Sequence, residues 1–164
     1  MTTRDTPPGG VRQPGSEPLI APYVTVLGKV LNRRAALHAQ SAFGLTQIEW
    51  QVLTLLGMFQ PISVRELAWH ALVDAAQISR AVSALAARGL IDRQRSARDS
   101  REAELMLLAA GRKVQAELTR AAVERNRELF ARCPEVPQAA LIGMLDTLAQ
   151  AARELLDADV AKKL

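Results

Sequence analysis

Apolar positions recur at three-and-four spacing from about residue 19 to residue 42, which predicts a first helix. Leu27, Val30, Leu31 and Leu37 share its rows with Arg34 and His38, Pro22 falls in the first turn, and Gly44 supplies the stop. Three helix starts follow, each with a local cap that satisfies otherwise orphaned backbone N–H groups. Thr46-Gln47-Ile48-Glu49 opens a helix to about residue 58, and Ser63-Val64-Arg65-Glu66, after the break at Pro61, opens one to about residue 72. Asp74-Ala75-Ala76-Gln77 opens a third, with Ile78, Val82 and Leu85 on one face and Gly89 at its end. The period then changes. Residues 90–95 are short and partly alternating, 96–100 form a polar turn, and 101–107 alternate Ala103, Leu105 and Leu107 with Glu102, Glu104 and Met106, which predicts a β-hairpin. Two long helices, roughly 110–132 and 137–158, close the chain on either side of Cys133-Pro134-Glu135-Val136-Pro137. No internal repeat is present. Residues 1–18 hold half of the eight prolines and almost no large apolar side chain, and read as a flexible arm.

Composition narrows the classes. With 49% hydrophobic residues in 164, the chain is too apolar for disorder. No run approaches the roughly 18 apolar residues of a spanning helix. A chain of this length buries roughly 68–70% of its unfolded surface, enough for one substantial core. A single cysteine, Cys133, excludes an internal disulfide, and no zinc spacing occurs. Pro and Gly stand where the apolar segment of a signal peptide would lie, so the expected compartment is the cytoplasm. The two histidines, His38 and His70, have no metal-ligand spacing, and there is no phosphate loop or nucleophile motif. The expectation is a non-enzyme without metal or cofactor.

The net charge of +4 rests on 21 basic and 17 acidic side chains, and 17 of the basic ones are arginine. An arginine excess fits a GC-rich genome as well as recognition of phosphates and base edges. Position separates these readings. Arg88, Arg93, Arg95, Arg98 and Arg101 against Asp92 and Asp99 give +3 within 14 residues, most of the chain's total. That charge lies in the hairpin directly after two short capped helices, an arrangement that describes a winged helix-turn-helix. There it can reach phosphates or a narrow minor groove. The second of the two helices presents Ala75, Ala76, Gln77, Ser79, Arg80 and Ser83, small or hydrogen-bonding residues that allow close approach to bases in the major groove. Gln77 suits a capping box as well as an adenine edge, and Ser83 suits tight packing as well as a base.

Together, Gly44-Leu45-Thr46 with Trp50 and Leu53, Ser63-Val64-Arg65-Glu66-Leu67-Ala68, Ile78-Ser79-Arg80, Leu85, Arg88-Gly89-Leu90-Ile91 and Asp99-Ser100-Arg101 resemble the MarR family of bacterial winged-helix transcription regulators. The resemblance spans about residues 25–125. It implies that Asp99 orients the wing and that Arg101, with Arg98 or Arg95 at the tip, approaches the minor groove. Leu108-Ala109-Ala110-Gly111 stands where the family often has Leu-Thr-x-x-Gly, so a threonine cap of about 1 kcal/mol is lost while Leu108 and Gly111 remain.

The first helix and the last two carry apolar stripes, among them Ala121, Ala122, Leu129, Leu141, Met144, Leu145, Leu148, Ala152, Leu155 and Leu156, that need a partner. A second copy is the economical one. A symmetric dimer sets two recognition helices about one DNA turn apart, roughly 34 Å, to read a palindrome, and the resemblance implies the same interface. The expected fold class is mainly α with a small β-hairpin wing. Its winged helix-turn-helix DNA-binding lobe covers 45–108, and its helical dimerisation region covers 19–44 and 109–164. The family resemblance also implies control by a small anionic, often aromatic, effector. Arg34, His38 and Trp50 are candidates for it, because a cation or imidazole beside apolar walls suits a carboxylate. Each also suits a plainer role, Trp50 in the core and the other two at the surface or dimer contact, while Trp69 is expected to pack within the lobe. The alternatives are a winged-helix adaptor that never touches DNA and a thiol sensor using Cys133, although Cys133 lies at the end of the fifth helix rather than near the start of the first.

Overall fold

The computed structural model describes residues 19–95 and 103–162. In chain order the elements are α1 (Ile20–Phe43), α2 (Gln47–Phe59), β1 (Ile62–Ser63), α3 (Val64–Ala71), α4 (Ala75–Ala87), β2 (Ile91–Arg95), β3 (Ala103–Leu107), α5 (Ala109–Ala131) and α6 (Gln138–Ala161). Two compact units divide the chain, Met1–Leu118 and Thr119–Leu164.

Local signals account for the helix starts in the first unit. Thr46 Oγ1 accepts from the Glu49 N–H at 3.3 Å while the Glu49 carboxylate accepts from the Thr46 N–H at 2.7 Å. The same reciprocal box joins Ser63 and Glu66, at 3.2 and 2.8 Å. At α4 the cap runs one way: Asp74 Oδ1 accepts from the N–H groups of Ala76 and Gln77 at 2.9 and 3.3 Å. Gln77 is therefore not spent on closing a capping box, and its side chain is exposed. Gly44 and Gly89 take the left-handed conformation (φ 62° and 67°) that ends α1 and follows α4.

The core of this unit forms where the helical periods meet a sheet. Val52, Leu53 and Leu56 of α2, Leu67 of α3, and Ile78, Ala81, Val82 and Leu85 of α4 pack with Ile91, Leu105 and Leu107 of the strands. Ala39 of α1 and Leu118 of α5 close it. The predicted hairpin is present as an antiparallel β2–β3 pair, with Ile91 opposite Leu107 and Arg93 opposite Leu105. The sequence reading missed a third strand. β1 pairs antiparallel with β3, Ile62 opposite Leu105, and gives the order β1-β3-β2. Two residues are too few for an alternating pattern, and Ser63 carries the signature of a helix cap.

Trp69 also departs from expectation. It is 59% exposed rather than packed in the lobe, because it lies two positions after the buried Leu67 and so on the opposite face of α3. It meets His70 edge-on at 4.8 Å, and His70 stacks on Phe59 at 4.3 Å.

The turn between α3 and α4 holds Leu72 in the left-handed region at φ 52° with its side chain 88% exposed. That conformation costs an L-residue about 1–2 kcal/mol, and there is little burial to offset it. Leu72→Gly is expected to raise stability by about 0.5–1 kcal/mol, after the larger unfolded-state entropy of glycine is counted. A thermal melt checks this, and an unchanged or lower Tm contradicts it.

The second unit contains the remainder of α5, a turn in which the Cys133 and Val136 N–H groups donate to Phe130 and Cys133 carbonyls at 3.1 and 3.0 Å, and α6. None of the 24 residues of α6 is buried. Among the described residues no helix is long and apolar enough to cross a membrane.

Candidate nucleic-acid interface

α4 is the second helix of the helix-turn-helix, and its inner and outer faces differ in kind. The inner face carries Ile78, Ala81, Val82 and Leu85 into the core. The outer face shows Ala75, Ala76, Gln77, Arg80 and Ser83 exposed, with Ser79 half-buried between them. Methyl groups at the first turn let a helix backbone approach a base pair closely, while Gln77 at the end of that turn and Arg80 about one turn on supply donors and an acceptor. Asp74 fixes where that first turn begins. The Ser83 hydroxyl donates to the Ser79 carbonyl at 2.9 Å, which leaves its oxygen lone pairs outward. Gln77 and Arg80 border a groove of about 240 Å³ against Thr46 and Glu49 at the start of α2.

On β2, Arg93 is exposed. The carboxylate of the neighbouring Asp92 is held by the Arg93 N–H at 2.8 Å and by the Gln94 amide at 3.2 Å. Arg98, Asp99 and Arg101 lie outside the described residues, as does the side chain of Arg95. Arg88, counted with the wing in the sequence reading, instead donates from Nη2 to the Phe43 carbonyl oxygen at 2.7 Å. Arg112 likewise donates to the Leu107 carbonyl at 2.6 Å and ties the start of α5 to β3. Charge counting along the chain has no means of separating such arginines from the outward ones.

The three effector candidates do not share one cavity. Arg34 lines a groove of about 690 Å³ on α1 together with Lys29, Arg33, Val30 and Leu37, and Gln47 of α2 also borders it. Neither His38 nor Trp50 is among its lining residues. Trp50 is half-buried against the core, its plainer reading, and His38 meets Phe43 edge-on at 6.5 Å. Lys29 and Arg33, missed by the sequence reading, share one face of α1 by their i, i+4 spacing, and Arg34 borders the same groove. Cys133 is a half-buried free thiol. Among the described residues no group of three metal-ligating side chains occurs.

Comparison with known proteins agrees with this architecture. The family model described as MarR family matches residues 43–102. No curated protein matches the chain. Among solved structures, a probable transcriptional regulator from Pseudomonas aeruginosa is 30% identical, with 79% of this chain and 99% of that one covered and a TM-score of 0.57. A MarR family protein of Mycobacterium tuberculosis, solved in complex with salicylic acid, is 26% identical over 82% of this chain and 98% of that one, with a TM-score of 0.64. A MarR/EmrR family transcriptional regulator from Acinetobacter sp. ADP1 has a TM-score of 0.69 at 21% identity, covering 82% and 95%. With the capped helix-turn-helix, the three-stranded wing sheet and these relatives taken together, the chain belongs to the MarR family of non-enzymatic, winged-helix transcriptional regulators.

Proposed function

We propose that two copies of this chain form a cytoplasmic dimer that binds a palindromic DNA operator as a repressor and is released by a small anionic, aromatic effector. The observation that carries DNA binding is the outer face of α4. It is a helix with small residues in its first turn and Gln77, Arg80 and Ser83 outward, followed at once by a hairpin whose residues 91–101 carry four arginines against two aspartates, net +2. In this reading α4 enters the major groove, and Arg93, Arg95, Arg98 and Arg101 contact phosphate or the minor groove, with Asp99 orienting the wing tip.

Dimerisation is supported by two apolar faces that stand exposed among the described residues. α1 exposes Tyr23, Val24, Leu27, Val30 and Leu31, and α6 exposes Met144, Leu145, Leu148, Leu155 and Leu156. Patches of that kind mark interfaces. The effector part is supported by the α1 groove, where Lys29, Arg33 and Arg34 stand beside Val30 and Leu37 as cations next to apolar wall, and by the salicylate complex of the 26% identical relative.

Footprinting on DNA flanking the protein's own gene, with and without a panel of aromatic acids, tests the proposal. Protection of a two-fold symmetric site that an acid weakens is the expected result, and no protected site overturns it. At the wing, Arg101→Ala is expected to weaken operator binding by at least about 1 kcal/mol, roughly fivefold, without changing the melting temperature. Unchanged affinity in a normally folded variant removes the wing contact.

A further inference from the structure

Arg88 ties the carboxyl ends of two helices, one through its backbone and the other through its guanidinium. Arg88 is the C-cap of α4, and the carbonyl it bonds at 2.7 Å belongs to Phe43, the last residue of α1, 45 positions earlier. The final carbonyls of a helix lack intrahelical partners and carry the negative end of its dipole, so a cationic donor suits the end of α1. A planar guanidinium also holds direction better than an ammonium.

We propose that Arg88 is a positioning residue that locks the recognition helix α4 to the dimerisation helix α1 and so fixes the separation of the two recognition helices. The inference rests on the dimeric DNA-binding reading above. α1 is seated on the lobe independently of Arg88, since Ala39 near its end and Leu45 just after it are fully buried in the lobe's core. The Arg88 bond is therefore not needed to hold the fold. What it adds is a direct tie between the element that meets the second copy and the element that meets DNA. α4 has 13 residues and is roughly 20 Å long. Without that tie, a change of a few degrees in the angle between α4 and α1 moves Ala75, Ala76 and Gln77 by about 1–2 Å relative to α1, more than the tolerance of a base-edge hydrogen bond. In a dimer that movement changes the span between half-sites and leaves the chemistry of each half-site untouched.

Two measurements on the full-length protein test this. The first needs no DNA: spin labels at Ser83→Cys in a Cys133→Ser background report the distance between the two α4 helices. A narrow distribution is expected with Arg88 present, broadened at least about 1.5-fold by Arg88→Met, which keeps the aliphatic stem and removes the donor. The second, in the unlabelled protein, measures affinity for an isolated half-site and for symmetric DNA with half-sites 9 to 12 base pairs apart. Wild-type protein is expected to prefer one spacing at least about tenfold, and Arg88→Met to reduce the preference below about threefold with half-site affinity within twofold of wild type. Arg93→Ala, which removes an exposed wing cation instead, is expected to weaken every spacing alike. An unchanged distance distribution and spacing profile in Arg88→Met overturns the clamp. Equal weakening on all DNA including the half-site also overturns it, by making Arg88 an ordinary phosphate contact. A narrow distribution broadened by Arg88→Met in a protein that binds no DNA upholds the tie while contradicting the proposed function. Absence of any dipolar signal in the wild type contradicts the dimer and the clamp with it.

Discussion

Gly111→Ala is expected to destabilise the protein by at least about 2 kcal/mol and lower Tm by roughly 4–8 °C. Gly111 is buried in the first turn of α5, and a Cβ there would strike the Leu90 carbonyl oxygen and approach Leu107 Cδ2 at 3.3 Å. The obstacle is backbone, so no rotamer change relieves it. The Leu90 carbonyl also accepts the Leu108 N–H at 3.0 Å, and Arg112, one residue on, holds the Leu107 carbonyl. Pushing α5 away therefore disturbs the junction of wing and helix at several bonds together. Alanine gains about 1 kcal/mol of helix propensity over glycine, which offsets part of an overpacking cost at or above the usual 1–3 kcal/mol. Denaturant or thermal unfolding checks the sign, and a Tm equal to or above wild type contradicts the account of the close approach.

Leu148→Glu is expected to convert the dimer to a monomer at micromolar concentration and to reduce operator affinity at least about 100-fold. Leu148 lies on α6 with 48% of its surface exposed in the single chain, in the row of Leu141, Leu145, Ala152 and Leu155. If a second copy covers that row, the symmetry places two carboxylates in an apolar interface, a penalty of several kcal/mol. Leu148 is exposed and is not among the buried core residues, so the variant is expected to remain folded. Its lost affinity follows from separating two half-site contacts that the dimer joins into one binding event. Sedimentation reads the first effect and operator titration the second. A variant that remains dimeric removes α6 from the interface.

How legible each feature was depended on how local its cause is. The helix starts at Thr46, Ser63 and Asp74 were readable because a cap is made by residues three apart, and the stops at Gly44 and Gly89 because few residues but glycine take positive φ easily. The hairpin was readable from alternation in 103–107. β1 was not, since a two-residue strand exists only through its pairing with Leu105 and Glu104. Trp69 misled because α3 is eight residues long, too short for an apolar side chain's phase to be certain from spacing. The outward face of α4 was legible because its inner row of Ile78, Ala81, Val82 and Leu85 is periodic, which leaves Ala75, Ala76, Gln77, Arg80 and Ser83 on the exposed side. Arg88 could not be separated from the wing arginines, because its partner lies 45 positions away. Arg34, His38 and Trp50 were grouped by chemical suitability alone, and the groove on α1 collects Arg34 with Lys29 and Arg33 instead.

The salt dependence of binding to mixed genomic DNA tests most directly the proposal that two copies of this chain bind DNA through arginine contacts to phosphates. At least four phosphates neutralised per dimer predict that log affinity falls linearly with log salt at a slope of about −3.6 or steeper. Negligible binding at every salt concentration, the behaviour of a winged-helix adaptor, would contradict it.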